Sequence, residues 1–291
     1  MGSEAMDLQG FRAKLELDDK SGLTIRNYVT DVEMFADWYG DTYGEEFDPG
    51  RIVQREVSDY RAWMQGQSAA AETINRRLTS LRQYFAYVGR TPNPAVGVRG
   101  VKIVDPGVQA LTMAQLRRLL REVHVHQDIR DIAILEVLCG TGIRVGELVA
   151  LRVGDVEISE RRGSLVVRCG KGRVARHVPL NGDVRKALAA WLEVHPGDSD
   201  ALFVGQRGPL TAVGIWRIVR KYGDYAGIHE LRVHQLRHTV ITRMVRELGM
   251  DLATVARISG HRCLSSVLRY AAPTREDLER AMAGLELTGG D

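Results

Sequence analysis

Apolar positions repeat about every 3.6 residues in two long stretches near the start of the chain, at 25–38 and between Ala70 and Val88. Thr24 is the predicted N-cap of the first of these helices. A shorter stripe of the same spacing at 57–64 predicts a helix between them. The pattern therefore predicts a small all-helical domain of about four helices over residues 1–90.

The segment Thr91–Gly100 interrupts this helical pattern. It carries two prolines and two glycines within ten residues, which regular secondary structure tolerates poorly. We predict an extended linker over residues 91–107 and a second domain over 108–291. That domain opens with LTMAQLRRLL, in which Thr112 is the predicted N-cap and Leu111 packs back on the helix.

A β-rich patch interrupts the helices of the second domain. Ser164–Leu180 holds two β-rich runs around GKGR, a turn sequence typical of a hairpin. Apolar stripes predict further helices near 184–192, 213–222, 233–248 and 252–258, and a helical tail at 273–287. The predicted fold class is mainly α with a small β-sheet: an all-helical N-terminal domain followed by a mixed α/β domain.

Composition is that of an ordinary soluble globular protein, with 44% hydrophobic and 26% charged residues. No apolar run approaches the roughly 20 residues that span a bilayer, and no signal-like segment opens the chain. The three cysteines, Cys139, Cys169 and Cys263, are far apart, which favours reduced thiols over a disulfide framework or a zinc site. We therefore expect a cytoplasmic protein without a membrane segment.

The net charge of +3 says little, but its distribution is uneven. Residues up to Val104 include 13 basic and 15 acidic side chains, whereas the rest of the chain has 27 and 22. Arginine outnumbers lysine by 34 to 6. The guanidinium fork matches phosphate oxygens, so this excess is compatible with nucleic-acid binding, and a GC-rich genome would explain it equally well.

Candidate chemistry first occurs in CGTGIRVGELVAL, where a helix ends at Thr-Gly and another begins. Arg144 and Glu147 are three residues apart and therefore share one face of the new helix. In isolation such a pair is usually a solvated ion pair. The functional interpretation is an arginine that the carboxylate holds in place and directs at an anion.

The second candidate is HQLRHT, in which His234, Arg237 and His238 follow one another at helical spacing. The stretch lacks the glutamate of HExxH, and no nearby carboxylate completes a metal ligand set. Apolar neighbours mark another face as the buried one, so His234 and Arg237 can present two donors to one phosphate.

Two more residues, Tyr270 and Lys171, become candidates only beside the motifs described above. Tyr270 follows the turn sequence SGH, and by itself it predicts a half-buried tyrosine at the edge of a core. Lys171 lies at the tip of the predicted hairpin, where a lysine is ordinarily a solubilising residue. Its flanking glycines and the arginines that follow favour a tip that contacts DNA instead.

Taken in order, TGIRVGEL, GKGR, HQLRHT and SGH with Tyr270 nine residues later resemble the tyrosine recombinase (phage integrase) family. That family is related in its catalytic domain to type IB topoisomerases. The resemblance spans essentially the whole chain, with an Xer-like layout of a SAM-like core-binding domain and a catalytic domain. The AAP directly after Tyr270 is less typical than the Thr or Ala followed by His expected there.

The resemblance implies a role for each of these side chains. Tyr270 would attack a DNA phosphodiester and form a 3′-phosphotyrosyl bond. Arg144 and Arg237 would clamp the two non-bridging oxygens in the transition state. His261 would hydrogen-bond a non-bridging oxygen, and His234 would accept a proton or hold an oxygen.

Supporting roles follow from the same resemblance. Lys171 would protonate the leaving 5′-oxygen. Glu147 would orient the site through Arg144, and His238 would support it from beside Arg237. Four arginines are expected to contact DNA: Arg76, Arg77, Arg173 and Arg176.

The implied activity is site-specific recombination through a Holliday junction, for integration, excision or dimer resolution. The partners would be double-stranded DNA with an inverted-repeat site and further copies in a homotetramer, with a monomer in solution left open. No cofactor or metal is expected, because the phosphotyrosyl bond keeps the energy of the broken bond. Two alternatives remain: a DNA-binding regulatory protein without cleavage activity, and a relaxing enzyme like type IB topoisomerases.

Overall fold

The computed structural model describes residues 6–103, 110–168, 175–261, 263–272, 278–279 and 282–283. The chain divides into two compact units, Met1–Asp105 and Pro106–Asp291. Within the described ranges, none of the helices combines the length and apolar character needed to cross a bilayer.

The first unit consists of four helices, as the sequence predicted: α1 (Leu8–Leu17), α2 (Gly22–Tyr43), α3 (Gln54–Gly66) and α4 (Ala71–Tyr87). The N-cap of α2 is Ser21, whose hydroxyl accepts the backbone N–H of Thr24 at 3.1 Å. The prediction of Thr24 as the N-cap was therefore wrong by one turn. Both residues are good capping types, and the chain begins its helix at the earlier one.

Aromatic rings fill the core of the first unit. The ring of Phe35 lies edge-on to that of Tyr60, with centroids 5.1 Å apart, and both side chains are fully buried. Asp31 is also buried, and its carboxylate accepts hydrogen bonds from Ser80 at 2.7 Å and from Arg76. A buried carboxylate is tolerated because these donors replace its lost water.

The segment predicted as an extended linker packs on α4 over its first part. Arg82 donates to the backbone carbonyls of Ala95 at 3.1 Å and Val98 at 2.7 Å. Asn75 donates to the carbonyl of Val101 at 2.9 Å and accepts its N–H at 2.7 Å. The first unit therefore extends beyond residue 90, where the sequence placed the start of the linker.

The second unit has eight further helices within the described residues. The predicted N-cap of its first helix is confirmed, since Thr112 and Gln115 form a reciprocal capping box. The helices are α5 (Met113–Val125), α6 (Ile129–Thr141), α7 (Val145–Ala150), α8 (Gly182–Glu193), α9 (Ala212–Tyr225), α10 (Val233–Thr242), α11 (Leu252–Ser259) and α12 (Ser265–Ala271). Helix α10 ends six residues earlier than predicted and continues as a π-helical turn, Arg243–Glu247.

The predicted hairpin is present as β2 (Gly163–Val167) and β3 (Arg176–Pro179), paired antiparallel with Leu165 opposite Val178. A strand that the sequence did not reveal, β1 (Val156–Ile158), pairs with β2 on its other side. A two-stranded ribbon of β4 (Val204–Gly205) and β5 (Gly208–Pro209) was also missed. These strands have two or three residues, too few to show an alternating pattern.

Two packed regions of the second unit support the candidate residues. Helix α6 is buried along nearly its whole length and packs against α5, α8 and α10. A smaller cluster joins α10, α11 and α12 through Ile241, Val255, Val267 and Tyr270. These apolar contacts hold together the helices that carry HQLRHT, SGH and Tyr270.

Candidate active site

Two glycines in the left-handed conformation end the helices that lead into the site. Gly142 ends α6 at φ +66°, and a Cβ there would lie 3.1 Å from a methyl carbon of Val240 on α10. Gly260 ends α11 at φ +70°, and a Cβ there would lie 2.6 Å from the guanidinium carbon of Arg176. Only glycine satisfies both the dihedral angle and the close approach.

Glu147 is the anionic centre of the site. Its Oε1 accepts a hydrogen bond from Nη1 of Arg144 at 3.1 Å, and its Oε2 accepts the backbone N–H of Arg144 at 2.8 Å. Arg176 donates both terminal nitrogens to the same carboxylate, each at 2.8 Å. The Arg144–Glu147 pair is therefore part of a network that a third side chain completes.

Both arginines also hold the C-terminal end of α11. Arg144 donates to the carbonyl of Gly260 at 2.9 Å, and Arg176 donates through Nε to the carbonyl of Ile258 at 2.9 Å. These carbonyls have no partner inside the helix and attract cations. The contacts join α7, β3 and the turn that precedes His261.

The neighbouring arginines keep Glu147 ionised although its side chain is largely buried. Burial acts to raise the pKa of Glu147, but the hydrogen bonds from Arg176 and from the Arg144 backbone hold it below its usual value. Arg144 keeps 42% of its side chain exposed, whereas Arg176 keeps 11%. Arg144 is thus the arginine of this network that an external anion can reach.

Arg237 lies on α10 and is 3% exposed. It donates to the carbonyl of Gly142 at 2.6 Å, and its other terminal nitrogen lies 3.3 Å from Nε2 of His261. Burial and the nearby Arg144 lower the pKa of Arg237 to about 10. The guanidinium therefore stays charged at neutral pH with little water around it, which strengthens its attraction for an anion.

The hydrogen bonds of His261 specify its tautomer. Its Nδ1 lies 2.7 Å from the hydroxyl of Ser259, which itself donates to the carbonyl of Val255 at 2.5 Å. Nδ1 therefore carries the proton, and the lone pair of Nε2 faces Arg237. Burial and the charge of Arg237 lower the pKa of His261 to about 4, so the ring is neutral at pH 7.

Tyr270 lies on α12 and is 3% exposed. Its hydroxyl is 2.6 Å from Nδ1 of His238, and the centroids of the Tyr270 and His261 rings are 6.3 Å apart. Burial raises the pKa of the Tyr270 hydroxyl, and Arg269, Arg237 and Arg144 oppose that rise. The tyrosine hydroxyl and two guanidinium groups therefore share one electrostatic environment.

His234 lies one turn before His238 on α10. Their rings meet edge to face, with centroids 4.2 Å apart. Loss of hydration and the charge of Arg237 lower the pKa of His234, so this ring is also neutral at pH 7. Each group is close to a neighbour in the set, and so the structure brings together Arg144, Glu147, His234, Arg237, His238, His261 and Tyr270.

Two predicted residues, Arg76 and Arg77, lie in the first unit. Lys171 and Arg173 fall outside the described residues. Arg76 pairs with Asp31 in the first unit and is 37% exposed, whereas Arg77 is 14% exposed and donates to the hydroxyl of Tyr60 at 3.2 Å.

Arg176 corrects the sequence analysis. It was expected to contact DNA, but the structure places it against Glu147 and the end of α11. No spacing rule connects residues 29 positions apart on a strand and a helix. The only sequence signal was the position of Arg176 on a strand beside the candidate lysine hairpin.

The arrangement is suited to holding a phosphodiester. The guanidinium groups of Arg144 and Arg237 belong to the same cluster as the Tyr270 hydroxyl, and a phosphate that enters it would find donors on both arginines. A hydroxyl in such a place can attack the phosphorus when a base takes its proton. The geometry therefore supports phosphoryl transfer to tyrosine.

Comparison with known proteins gives consistent matches. Residues 109–277 match the model of the phage integrase family, and residues 8–91 match that of the phage integrase N-terminal SAM-like domain. Tyrosine recombinase XerA of Pyrococcus furiosus is 32% identical over 98% of this chain and 96% of that protein. Tyrosine recombinase XerC of Herpetosiphon aurantiacus is 31% identical over 90% of this chain and 89% of that protein.

Solved structures agree with the sequence matches. The crystal structure of XerA recombinase covers 97% of this chain and 98% of its own, with 25% identity and a TM-score of 0.55. The match to XerH site-specific recombinase bound to palindromic difH substrate covers 97% of this chain and 91% of that chain, with 19% identity and a TM-score of 0.76. At 19% identity, the match to XerH concerns the fold alone. The family and sequence matches confirm the predicted fold class and the resemblance to the tyrosine recombinase family.

Proposed function

Because this chain belongs to the phage integrase family, we propose that it is a site-specific DNA recombinase that cuts and rejoins DNA through a 3′-phosphotyrosyl intermediate. The observation that carries the proposal is the position of the Tyr270 hydroxyl, 2.6 Å from an imidazole and under the influence of Arg237 and Arg144. The relatives of similar length named tyrosine recombinases support the same reaction class.

In the proposed reaction the Tyr270 oxygen attacks a DNA phosphorus and displaces the 5′-oxygen of the next nucleotide. A phenol has a pKa near 10, so ionising it beforehand at pH 7 costs about 4 kcal/mol. Arg144 and Arg237 lower the barrier by stabilising the charge that builds on the non-bridging oxygens. His234 is a further ligand of the same phosphate, and His261 becomes one when the entering phosphate displaces Arg237 from Nε2 and that nitrogen takes up a proton.

Lys171 is the proposed proton donor to the leaving 5′-oxygen. The covalent bond to Tyr270 keeps the energy of the broken phosphodiester, so a 5′-hydroxyl can reverse the reaction with neither ATP nor a metal ion. Rejoining to a strand of another duplex gives recombination. Rejoining to the original strand only relaxes DNA.

Recombination of two duplexes through a Holliday junction breaks four strands, and each protomer supplies a single Tyr270. We therefore propose a homotetramer on two DNA sites, each an inverted repeat that seats two protomers. Relatives of this fold such as XerH were solved bound to their DNA substrate. Whether the reaction serves integration, excision or dimer resolution depends on the DNA site.

The direct test is covalent trapping on a nicked duplex that carries the recombination site, in the presence of EDTA. Wild-type protein should form an adduct that survives SDS, and Tyr270→Phe should form none. Tyr225→Phe is the matched control, because Tyr225 is a surface tyrosine of the same unit, 52% exposed, and should leave the adduct unchanged.

The alternatives give different results in the same assay. A DNA-binding regulator would shift the DNA in a gel but give no adduct with any variant. A topoisomerase-like enzyme would give the adduct and relax supercoiled plasmid without producing recombinants. An adduct from Tyr270→Phe would contradict the proposed nucleophile.

A further inference from the structure

His238 contacts the oxygen that would react. Within the described residues, Tyr270 Oη has one hydrogen-bond partner, Nδ1 of His238, at 2.6 Å. The two ring centroids are 5.5 Å apart, and the residues lie on different helices, α10 and α12. The main-chain carbonyl of Tyr270 accepts a hydrogen bond from Arg246 at 2.9 Å, which holds α12 in place beside α10.

The direction of this hydrogen bond follows from the donor and acceptor chemistry of the two groups. Burial raises the pKa of the Tyr270 hydroxyl, which is therefore protonated at pH 7, and of the two groups an imidazole nitrogen is the better acceptor. The tyrosine hydroxyl therefore donates, and Nδ1 accepts through its lone pair. The contact has the geometry needed between a nucleophile and its base, in the distance range of about 2.6–3.2 Å.

The other imidazoles of the site are less suited to this step. His261 uses Nδ1 with Ser259 and directs Nε2 at Arg237, so neither nitrogen is left for the tyrosine. His234 packs edge to face against His238 and makes no hydrogen bond with Tyr270 in the part of the chain that is described. His238 is thus the imidazole placed to receive the proton.

We propose that His238 is a catalytic residue that accepts the proton of Tyr270 during strand cleavage, an inference that rests on the proposed function. As the bond from Oη to phosphorus forms, the Oη proton moves to Nδ1. The bond from phosphorus to the 5′-oxygen breaks, and that oxygen takes a proton from the general acid. In rejoining, the 5′-hydroxyl attacks, the tyrosine oxygen leaves and recovers its proton from His238.

The transfer of the Tyr270 proton to His238 has to accompany formation of the bond between Oη and phosphorus. Full ionisation beforehand would move the proton of the phenol to an imidazole, which is a weaker base than the phenolate left behind. As phosphorus bonds to Oη, the hydroxyl proton becomes strongly acidic, while the entering phosphate offsets part of the cationic charge. A base in hydrogen-bond contact before the reaction typically contributes about 10²–10⁴ in rate.

The key variant is His238→Asn, because the Asn side-chain oxygen can occupy the place of Nδ1 and accept the hydrogen bond but cannot take up the proton. We expect single-turnover adduct formation on the nicked duplex to fall by about 10² or more in His238→Asn, with a similar fall in His238→Ala. If His238 only positioned Tyr270, the Asn variant would retain a rate close to wild type.

A substrate with sulfur in place of the 5′-bridging oxygen separates the base from the acid. A thiolate leaves without needing a proton, so this substrate should restore cleavage by Lys171→Ala and leave His238→Asn slow. Thermal unfolding of each variant confirms that it is folded before its rate is interpreted.

Three results would overturn the inference: a wild-type rate for His238→Asn, a faster rate for that variant, or its rescue by the sulfur substrate. Failure of the proposed function looks different, because wild-type protein would then form no adduct on any cognate duplex. The two outcomes are therefore distinguished in one experiment.

Discussion

Arg176 donates each of its terminal nitrogens to a separate oxygen of Glu147, both at 2.8 Å, although the two residues are 29 positions apart in the sequence. The planar guanidinium matches the planar carboxylate, which makes this the strong, bidentate form of an ion pair. The pair connects β3 to α7, and through Arg144 it fixes one of the two arginines proposed to bind the scissile phosphate.

Arg176→Ala should therefore destabilise the protein. Removing Arg176 takes away the bidentate partner of the largely buried Glu147 and leaves Arg144 to compensate its charge, so we expect the free energy of unfolding to fall by about 3 kcal/mol. Urea titration measures this change. The matched control is Arg152→Ala, which removes an exposed ion pair with Asp200 at 2.6 Å and should cost less than about 1 kcal/mol. Equal losses from both variants would contradict a structural role for Arg176.

Arg237→Lys should separate charge from geometry in the active site. Lysine keeps the positive charge but cannot hold the Gly142 carbonyl and present a second nitrogen to the phosphate at once. We expect adduct formation to slow by about 10²–10³ while DNA affinity changes little. Rapid-quench kinetics and gel shifts measure the two quantities. Arg220→Lys, on a surface pair with Asp224, is the control and should behave as wild type.

The histidines of the site should make stability depend on pH. Unfolded His261 takes up a proton near pH 6.5, whereas the folded form stays neutral until about pH 4. Protons therefore favour the unfolded chain in this range. The free energy of unfolding should be highest above pH 6.5 and fall towards pH 4, by at most about 1.4 kcal/mol per pH unit for one histidine.

The measurement is chemical denaturation at pH 7.5, 6.5, 5.5 and 4.5 for wild type and His261→Asn. The variant should lose part of the slope, and His234, whose pKa is lowered in the same direction, contributes to what remains. Glu147 acts at lower pH, because its pKa is lowered and its contribution is lost only as acid protonates the folded carboxylate. An unchanged slope in His261→Asn would show that the imidazole titrates normally.

Arg76 and Arg77 form a natural pair of variants for the predicted DNA contacts of the first unit. Arg76 keeps 37% of its side chain exposed, whereas Arg77 keeps 14% and contacts Tyr60 and Met34. We expect Arg76→Ala to reduce the dependence of log affinity on log salt by about one, and Arg77→Ala to leave it unchanged. Fluorescence anisotropy at several salt concentrations distinguishes them. The opposite order would move the DNA contact to Arg77.

Sequence reasoning succeeded where a single element carries the signal. The helices α2, α4 and α5 follow from periodicity, because a helix on a core must repeat its apolar positions. Arg144 and Glu147, or His234 and His238, are close in space because they are close on one helix. The resemblance to the integrase family added the order of these motifs, and the family match confirms that resemblance.

Sequence reasoning failed where the outcome depends on a choice between similar residues or on contacts between segments far apart in the chain. Thr24 and Ser21 are both capping residues, and the structure uses Ser21. The segment after α4 contains breakers, yet Arg82 and Asn75 hold its backbone on the first unit. Proline and glycine indicate that a segment is not helical, but they do not say whether it is packed.

The sequence by itself determined which residue types are available and how they are arranged along each helix: the two arginines, the histidines and the tyrosine. Only the tertiary structure decided that Arg176 belongs to Glu147 and that the Tyr270 hydroxyl meets His238. Hydrogen bonds depend on distance in space, and the folding of β3, α10 and α12 sets those distances. A contact between elements far apart in the chain has no periodicity to reveal it.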